Sequence, residues 1–420
     1  MHDTSRRELF SWGAGAALGG GIAAWPAAAR AVAGVDTQPA PNESDARFLA
    51  RLLGRDKLLW SPNVQPEGYK SLERILATRK IGKAARPGAL PSSNPIGSVN
   101  YTDAGKVETF DDFLRLEHVA GLLVVKDGVV RVEHYGMGLQ PHEHWTSMSM
   151  VKSLTSTLVG CALHDKLIPD LQITAGQYVP ELRGSAYGDV TLQHLLRMSS
   201  GVAWDEDYTN PNADVNLYYE KVIADREKGG ILSHLRTLRR IHAPGSFFYY
   251  NTADTFVIGC MLTRAIGGTL ADYCSSRIWS RIGTEQDAMF LLESDNGQEV
   301  AGSSASASLR DYARFGLFIL ADGVAGGRRV LPEGWVQEAS APSAPQNDLS
   351  EGAYGYQWWV SDDGSFAAKG FAGQIIRINP AERTVIVVLS AVPGKAFRDP
   401  AEISPTRRDN FMRALDQAMA

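Results

Sequence analysis

Trp145-Thr-Ser-Met-Ser-Met-Val-Lys-Ser153 places Ser149 three residues ahead of Lys152, at the start of an apolar run that continues Thr155-Ser-Thr-Leu-Val-Gly-Cys-Ala162. Three residues are about one helical turn, so a hydroxyl and an amine come to one face of the same helix. The run is small or apolar all round, which predicts a helix buried inside the protein. Burial lowers a lysine pKa, and the adjacent helix N-terminus acts in the same direction. A neutral amine beside a serine hydroxyl can therefore take its proton. About one Ser-x-x-Lys is expected by chance in a chain this long, so the pattern needs support from elsewhere.

Working outward, Gly121-Leu-Leu-Val-Val-Lys-Asp-Gly-Val-Val-Arg-Val-Glu-His-Tyr135 reads as a hairpin turned at Asp127-Gly128. It delivers the chain to Ser149. Strands return at Tyr354–Val360, Phe366–Ile378 and Thr384–Ser390, and a helix over residues 406–420 is placed to cover them. The stretch between is helical and loop-like. The expected fold is α+β: an antiparallel sheet flanked by helices, built from 110–164 and 301–420, with an α-rich insertion at 165–300. Residues 34–109 read as an N-terminal extension packed on this body.

Residues 1–33 read as a targeting segment: a twin-arginine start, Ser5-Arg-Arg-Glu-Leu-Phe10, a Gly/Ala-rich run, and Ala31-Val-Ala33 as a small-residue cleavage site. Periplasmic or secreted location follows as an expectation, with no stable membrane anchor. The chain has 420 residues and a net charge of −5, without a basic stretch, which argues against a nucleic-acid partner. Cys161, Cys260 and Cys274 have neither Cys-x-x-Cys nor zinc spacing. His142-Glu-His144 lacks a third ligand and reads as a surface strand, so no metal or cofactor is expected.

Two further stretches carry chemistry. Pro244-Gly-Ser-Phe-Phe-Tyr-Tyr-Asn251 is a turn leading into an apolar helix, and Tyr249 with Asn251 would offer a phenol and an amide. Tyr250 then reads as a packing residue. A competing Tyr208-Thr-Asn210 sits in an acidic aromatic loop, Trp204-Asp-Glu-Asp-Tyr208. The second stretch, Ala368-Lys-Gly-Phe-Ala-Gly-Gln374, lies on a strand.

Taken in order, Ser149-Met-Val-Lys152, Tyr249-Tyr-Asn251 and Ala368-Lys-Gly370 resemble the Ser-x-x-Lys, Tyr-x-Asn and Lys-Thr-Gly elements of the serine β-lactamase and penicillin-binding superfamily, over roughly residues 110 to 415. Gly-Phe-Ala-Gly-Gln, Leu195-Leu-Arg-Met-Ser-Ser-Gly201 and the Trp204–Tyr208 loop are similar to its branch of 6-aminohexanoate-dimer hydrolases and β-lactamase-like carboxylesterases. The resemblance implies an acyl-enzyme on Ser149, with Lys152 and Tyr249 as base and acid. It implies an oxyanion hole from the amides of Ser149 and Phe371, and substrate contacts from Asn251, Gly370 and Trp204. With Gly370 as the family glycine, Ala368 takes the place of the family lysine, and the cation that attracts carboxylates is absent. A small ester or amide substrate is thereby favoured over β-lactams or D-alanyl peptides. The alternatives are a β-lactamase or D,D-peptidase, and a catalytically silent binding module.

Overall fold

The Asp127-Gly128 turn adopts positive φ at both residues (52° and 78°), as a two-residue hairpin of right-handed twist requires. In the computed structural model, which describes residues 65–420 apart from 94, 98, 209, 211, 223–225, 346–351 and 394–402, this hairpin pairs β1 (Val119–Lys126) with β2 (Val129–Tyr135). The targeting segment and most of the N-terminal extension lie outside the described residues. Five later strands complete an antiparallel sheet: β3 (Ala353–Tyr354), β4 (Trp359–Val360), β5 (Phe366–Gly370), β6 (Gln374–Asn379) and β7 (Thr384–Ser390). Their order is β3-β4-β5-β6-β7-β1-β2, so the N-terminal hairpin docks on the last strand of the chain.

Both faces of the centre are covered, and the alternation of side chains divides them. Leu123, Val125, Val385 and Val387 enter the main core, where helix α3 (Leu309–Leu320) crosses the sheet. Leu122, Val124, Ile386 and Val388 enter a second core under helix α4 (Arg407–Ala418). This explains why Val119–Val125 is buried without a break. Phe411 anchors α4, its ring stacked on Phe113 at a centroid separation of 3.7 Å. Arg377 of β6 reaches Asp416 of the same helix at 2.6 Å.

The stretch Phe366–Ile378, expected as one strand, is a hairpin. It turns at Phe371-Ala372-Gly373, where Ala372 (φ 58°) and Gly373 (φ 95°) reverse the chain. Tyr354–Val360 is likewise two short strands, turned near Gln357 (φ 65°). Within 165–300, Ala288–Leu291 is a strand; it pairs with Thr78–Ile81 of the N-terminal extension and with Ala305–Ala307. The last of these also pairs with Trp145–Thr146, which brings the segment ahead of Ser149 into a second, four-stranded sheet.

Helix α1 (Val151–His164) runs through the middle, buried at every position from Val151 to Ala162. It lies against helix α2 (Thr252–Ile266), which is buried from Thr252 to Leu262. All three cysteines are free and buried. No helix among the described residues is long and apolar enough to cross a membrane.

Candidate active site

Ser149 stands in a 3-10 turn, Met148–Met150, that leads straight into α1. Met148 just before it has φ 47°, a left-handed conformation costing a non-glycine residue about 1–2 kcal/mol. The surroundings hold it there: Met148 O accepts from Ser304 N at 3.1 Å, and Ser147 exchanges hydrogen bonds with Ala305 through N (2.7 Å) and Oγ (2.8 Å). Ser149 remains partly accessible while Met148 and Met150 are buried.

Lys152 Nζ lies 3.0 Å from Ser149 Oγ, 3.1 Å from Thr252 Oγ1 and 2.5 Å from Gly302 O. Its residue is 2% exposed, and burial pulls its pKa down from 10.5 to about 8, with the Glu206 carboxylate resisting the fall. Three acceptors therefore surround a cation whose proton is loosely held.

The phenol facing this amine belongs to Tyr250. Its ring centroid is 5.1 Å from Lys152 Nζ, and the ring stacks on Trp359 at 5.9 Å. Tyr249, expected in this place, is half-buried against the main core on the side of Asp205 and Asp214; burial first, and then these carboxylates with Glu206, raise its pKa. Asn251 is also turned away. Its Oδ1 accepts from Ala253 N (2.8 Å) and Asp254 N (3.3 Å), and its Nδ2 donates to Tyr187 Oη (3.1 Å), so it caps α2. The cause is the extended backbone ahead of α2, along which successive side chains point to opposite sides. Tyr250 and Thr252 share the side of Lys152, and Tyr249 and Asn251 the other. An Asn directly preceding an apolar helix was the signal for this register, because that is the preferred N-cap position.

β5 closes the site from the sheet side. Ala368 is buried on the main-core face opposite Ile376, whereas Lys369 pairs with Ile375 of the other face and holds Nζ 5.4 Å from the Trp359 ring centroid. A Cβ on Gly370 would meet Ser147 O at 2.4 Å. Phe371 follows at the turn, its ring 5.3 Å from Tyr208. Gln374 clamps the two turns together: it accepts from Trp145 Nε1 (3.0 Å) and donates to Phe371 O (3.0 Å) and Ser390 O (2.7 Å).

Trp204, expected beside the substrate, is 3% exposed, its ring packed edge-on against Tyr218 in the core. Its indole N–H instead donates to Glu206, which also accepts from Thr252 Oγ1 (2.6 Å) and Tyr208 Oη (2.9 Å). Glu206, Thr252 and Gly302 had no individual signal in the sequence. They meet Lys152 only through tertiary packing. His142-Glu-His144 forms a loop rather than a strand, with His144 Nδ1 2.7 Å from Glu73. No group of side chains suited to a metal ion occurs among the described residues.

Known proteins share this arrangement of elements. Residues 109–404 match the family model described as Beta-lactamase. The chain belongs to the beta-lactamase family. It is 30% identical over 295 residues to a 6-aminohexanoate-dimer hydrolase of Paenarthrobacter ureafaciens, covering 66% of this chain and 74% of that protein. A solved structure from Bacillus anthracis, provisionally named for the same hydrolase, superposes with a TM-score of 0.75 at 23% identity, covering 91% of this chain and 98% of that one. A family VIII carboxylesterase superposes with a TM-score of 0.55 at 16% identity, over 71% and 92% of the two chains. This beta-lactamase-family chain thus has the fold of serine hydrolases whose relatives include amidases and esterases.

Proposed function

We propose that this member of the beta-lactamase family is an exported serine hydrolase that cleaves esters or small linear amides through an acyl-enzyme on Ser149. The observation that carries the reading is the buried Lys152 amine, 3.0 Å from Ser149 Oγ, with a pKa brought down to about 8. In the neutral form it takes the serine proton as Ser149 Oγ attacks the carbonyl carbon. The amides of Ser149 and Phe371 are assigned to the oxyanion. Collapse of the tetrahedral intermediate breaks the ester or amide bond, and the departing alcohol or amine takes a proton from the lysine, with Tyr250 as the second carrier. Water then attacks the acyl-enzyme by the same route in reverse. The Paenarthrobacter relative supports 6-aminohexanoate dimer as a trial substrate. Buried Ala368, standing where a carboxylate-attracting lysine would be, counts against β-lactams, whose carboxylate sits beside the scissile amide. Export rests on the twin-arginine pattern of Ser5–Phe10.

Intact-mass labelling with a fluorophosphonate tests this, beside turnover of p-nitrophenyl acetate, a chromogenic cephalosporin and the linear 6-aminohexanoate dimer. The expected result is one label on wild type, none on Ser149→Ala, and ester or dimer turnover lost in that variant. Absence of labelling, with rates equal to background, would leave a silent binding module; dominant cephalosporin turnover would make it a β-lactamase.

The two neighbouring tyrosines should differ sharply in their effect on turnover. Tyr250→Phe is expected to lower kcat by about 10²-fold, the usual scale of one proton-transfer partner. Tyr249→Phe is expected to stay within about threefold of wild type, because its hydroxyl lies on the far side of the segment. Steady-state kinetics on p-nitrophenyl acetate separates the two.

A further inference from the structure

We infer that Glu206 is a positioning residue which, through Thr252, fixes the direction of the hydrogen bond between Ser149 and Lys152. The inference rests on the acyl-enzyme reading above and adds a residue to it.

The protons around Lys152 can be counted. As an ammonium it has three, and three acceptors take them: Ser149 Oγ, Thr252 Oγ1 and Gly302 O. As a neutral amine it keeps two protons and gains one lone pair, which needs a donor. Gly302 O cannot donate. Thr252 has a single hydroxyl proton, and that proton is committed to Glu206 Oε1 at 2.6 Å, so its oxygen can only accept from Lys152. Thr252 and Gly302 are both buried, so withdrawing a donor from either leaves an unpaired oxygen. Of these three partners only Ser149 can supply a proton, so Thr252 and Gly302 leave the lone pair to Ser149 and to the Tyr250 phenol that faces the amine.

Glu206 is suited to hold Thr252 this way because everything around it donates. Trp204 Nε1 and Thr252 N (3.3 Å) meet Oε2, while Tyr208 Oη (2.9 Å) and Thr252 Oγ1 meet Oε1. A carboxylate accepts from all four. In Glu206→Gln the amide must turn its oxygen to the two N–H groups, which cannot rotate, and its NH2 to the two hydroxyls, which can. Thr252 would then accept from the introduced NH2 and swing its proton to the Lys152 lone pair. The base would be occupied by the wrong donor.

The test uses the full chain and reads kcat/KM against pH. The titratable groups facing this pair are Tyr208, Tyr218, Tyr219, Tyr249, Tyr250 and Asp254, all retained in every variant. Glu206→Gln is expected to lower the plateau by about 10- to 100-fold. Its acid limb should move to lower pH, since removing the carboxylate and donating to the lone pair both favour the neutral amine. Adding Thr252→Val removes the competing hydroxyl, so the double variant should be faster than Glu206→Gln alone. A merely structural Glu206 would also shift the limb, through loss of its charge beside Lys152, but would make the double variant slower, and that result overturns the inference. If Glu206→Gln fails to fold, Glu206→Ala takes its place, because the freed Thr252 hydroxyl can likewise turn to the lone pair: Glu206→Ala with Thr252→Val should be faster than Glu206→Ala alone, and a slower double variant would overturn the inference. Should wild type itself fail to label at Ser149, it is the hydrolase reading that falls.

Discussion

Replacing Lys152 by Met is expected to lower kcat/KM by about 10³- to 10⁵-fold while easing a burden on the folded state. The activity loss follows from removing the base. The stability effect follows from linkage. The folded protein holds this lysine at a pKa of about 8 against an ordinary 10.5, so between those values the unfolded chain binds more protons and wild-type stability rises with pH. Below pH 8 the burial penalty is present in full; toward pH 10.5 it fades. The thioether of Lys152→Met carries no such penalty. Relative to wild type, the variant should therefore be more stable at pH 7 than at pH 10 by about 2 kcal/mol, taking 1.36 kcal/mol per pKa unit. The orphaned Gly302 carbonyl costs the variant something at both pH values, and the difference between them cancels it. Urea unfolding of both proteins at the two pH values provides the measurement. A gap independent of pH would mean that Lys152 is not held as a weak base in the fold.

Gly370→Ala is expected to cost about 10²-fold in kcat/KM and about 2–4 kcal/mol of stability, the scale of an overpacked or displaced core contact. The added methyl would lie 2.4 Å from Ser147 O and 3.2 Å from Met148 Cβ, so the nucleophile turn and β5 must separate by several tenths of an ångström or more. That separation opens the space between Ser149 and Phe371, where the oxyanion is assigned, and small misplacements of such donors are costly. Gln374 resists it by holding Trp145 and the Phe371 carbonyl at once. The loss should fall mainly on kcat. Kinetics together with thermal unfolding would show it, and a folded Gly370→Ala variant of wild-type activity would contradict the close approach.

The hairpin at Asp127-Gly128 was legible in the sequence because its signal is local: two residues of turn chemistry between two β-rich runs. So were Ser149 and Lys152, since one helical turn joins them, and the burial of α1, since its composition is apolar on every side. The hairpin at Phe371–Gly373 was not. Phe366 opens the stretch and Ile375, Ile376 and Ile378 close it, and nothing in Phe-Ala-Gly demands a reversal until the sheet partners are known. Tyr249 and Tyr250 are chemically alike, so residue type could not choose between them; the alternation set by the Asn251 cap did. Glu206 and Thr252 are 46 residues apart, and their hydrogen bond has no expression in local pattern at all.

Helix α1, enclosed from Val151 to Ala162, has a consequence for how this protein fails. Amide protons on such a helix reach solvent only when the whole molecule opens, so they should be among the slowest to exchange with deuterium. Many enzymes hang their reactive groups on loops that loosen well before the body melts. Here the base rides on the last element to come apart, and mild denaturant has no partial state in which to disarm it while leaving the rest intact. Loss of the base and global unfolding become one event.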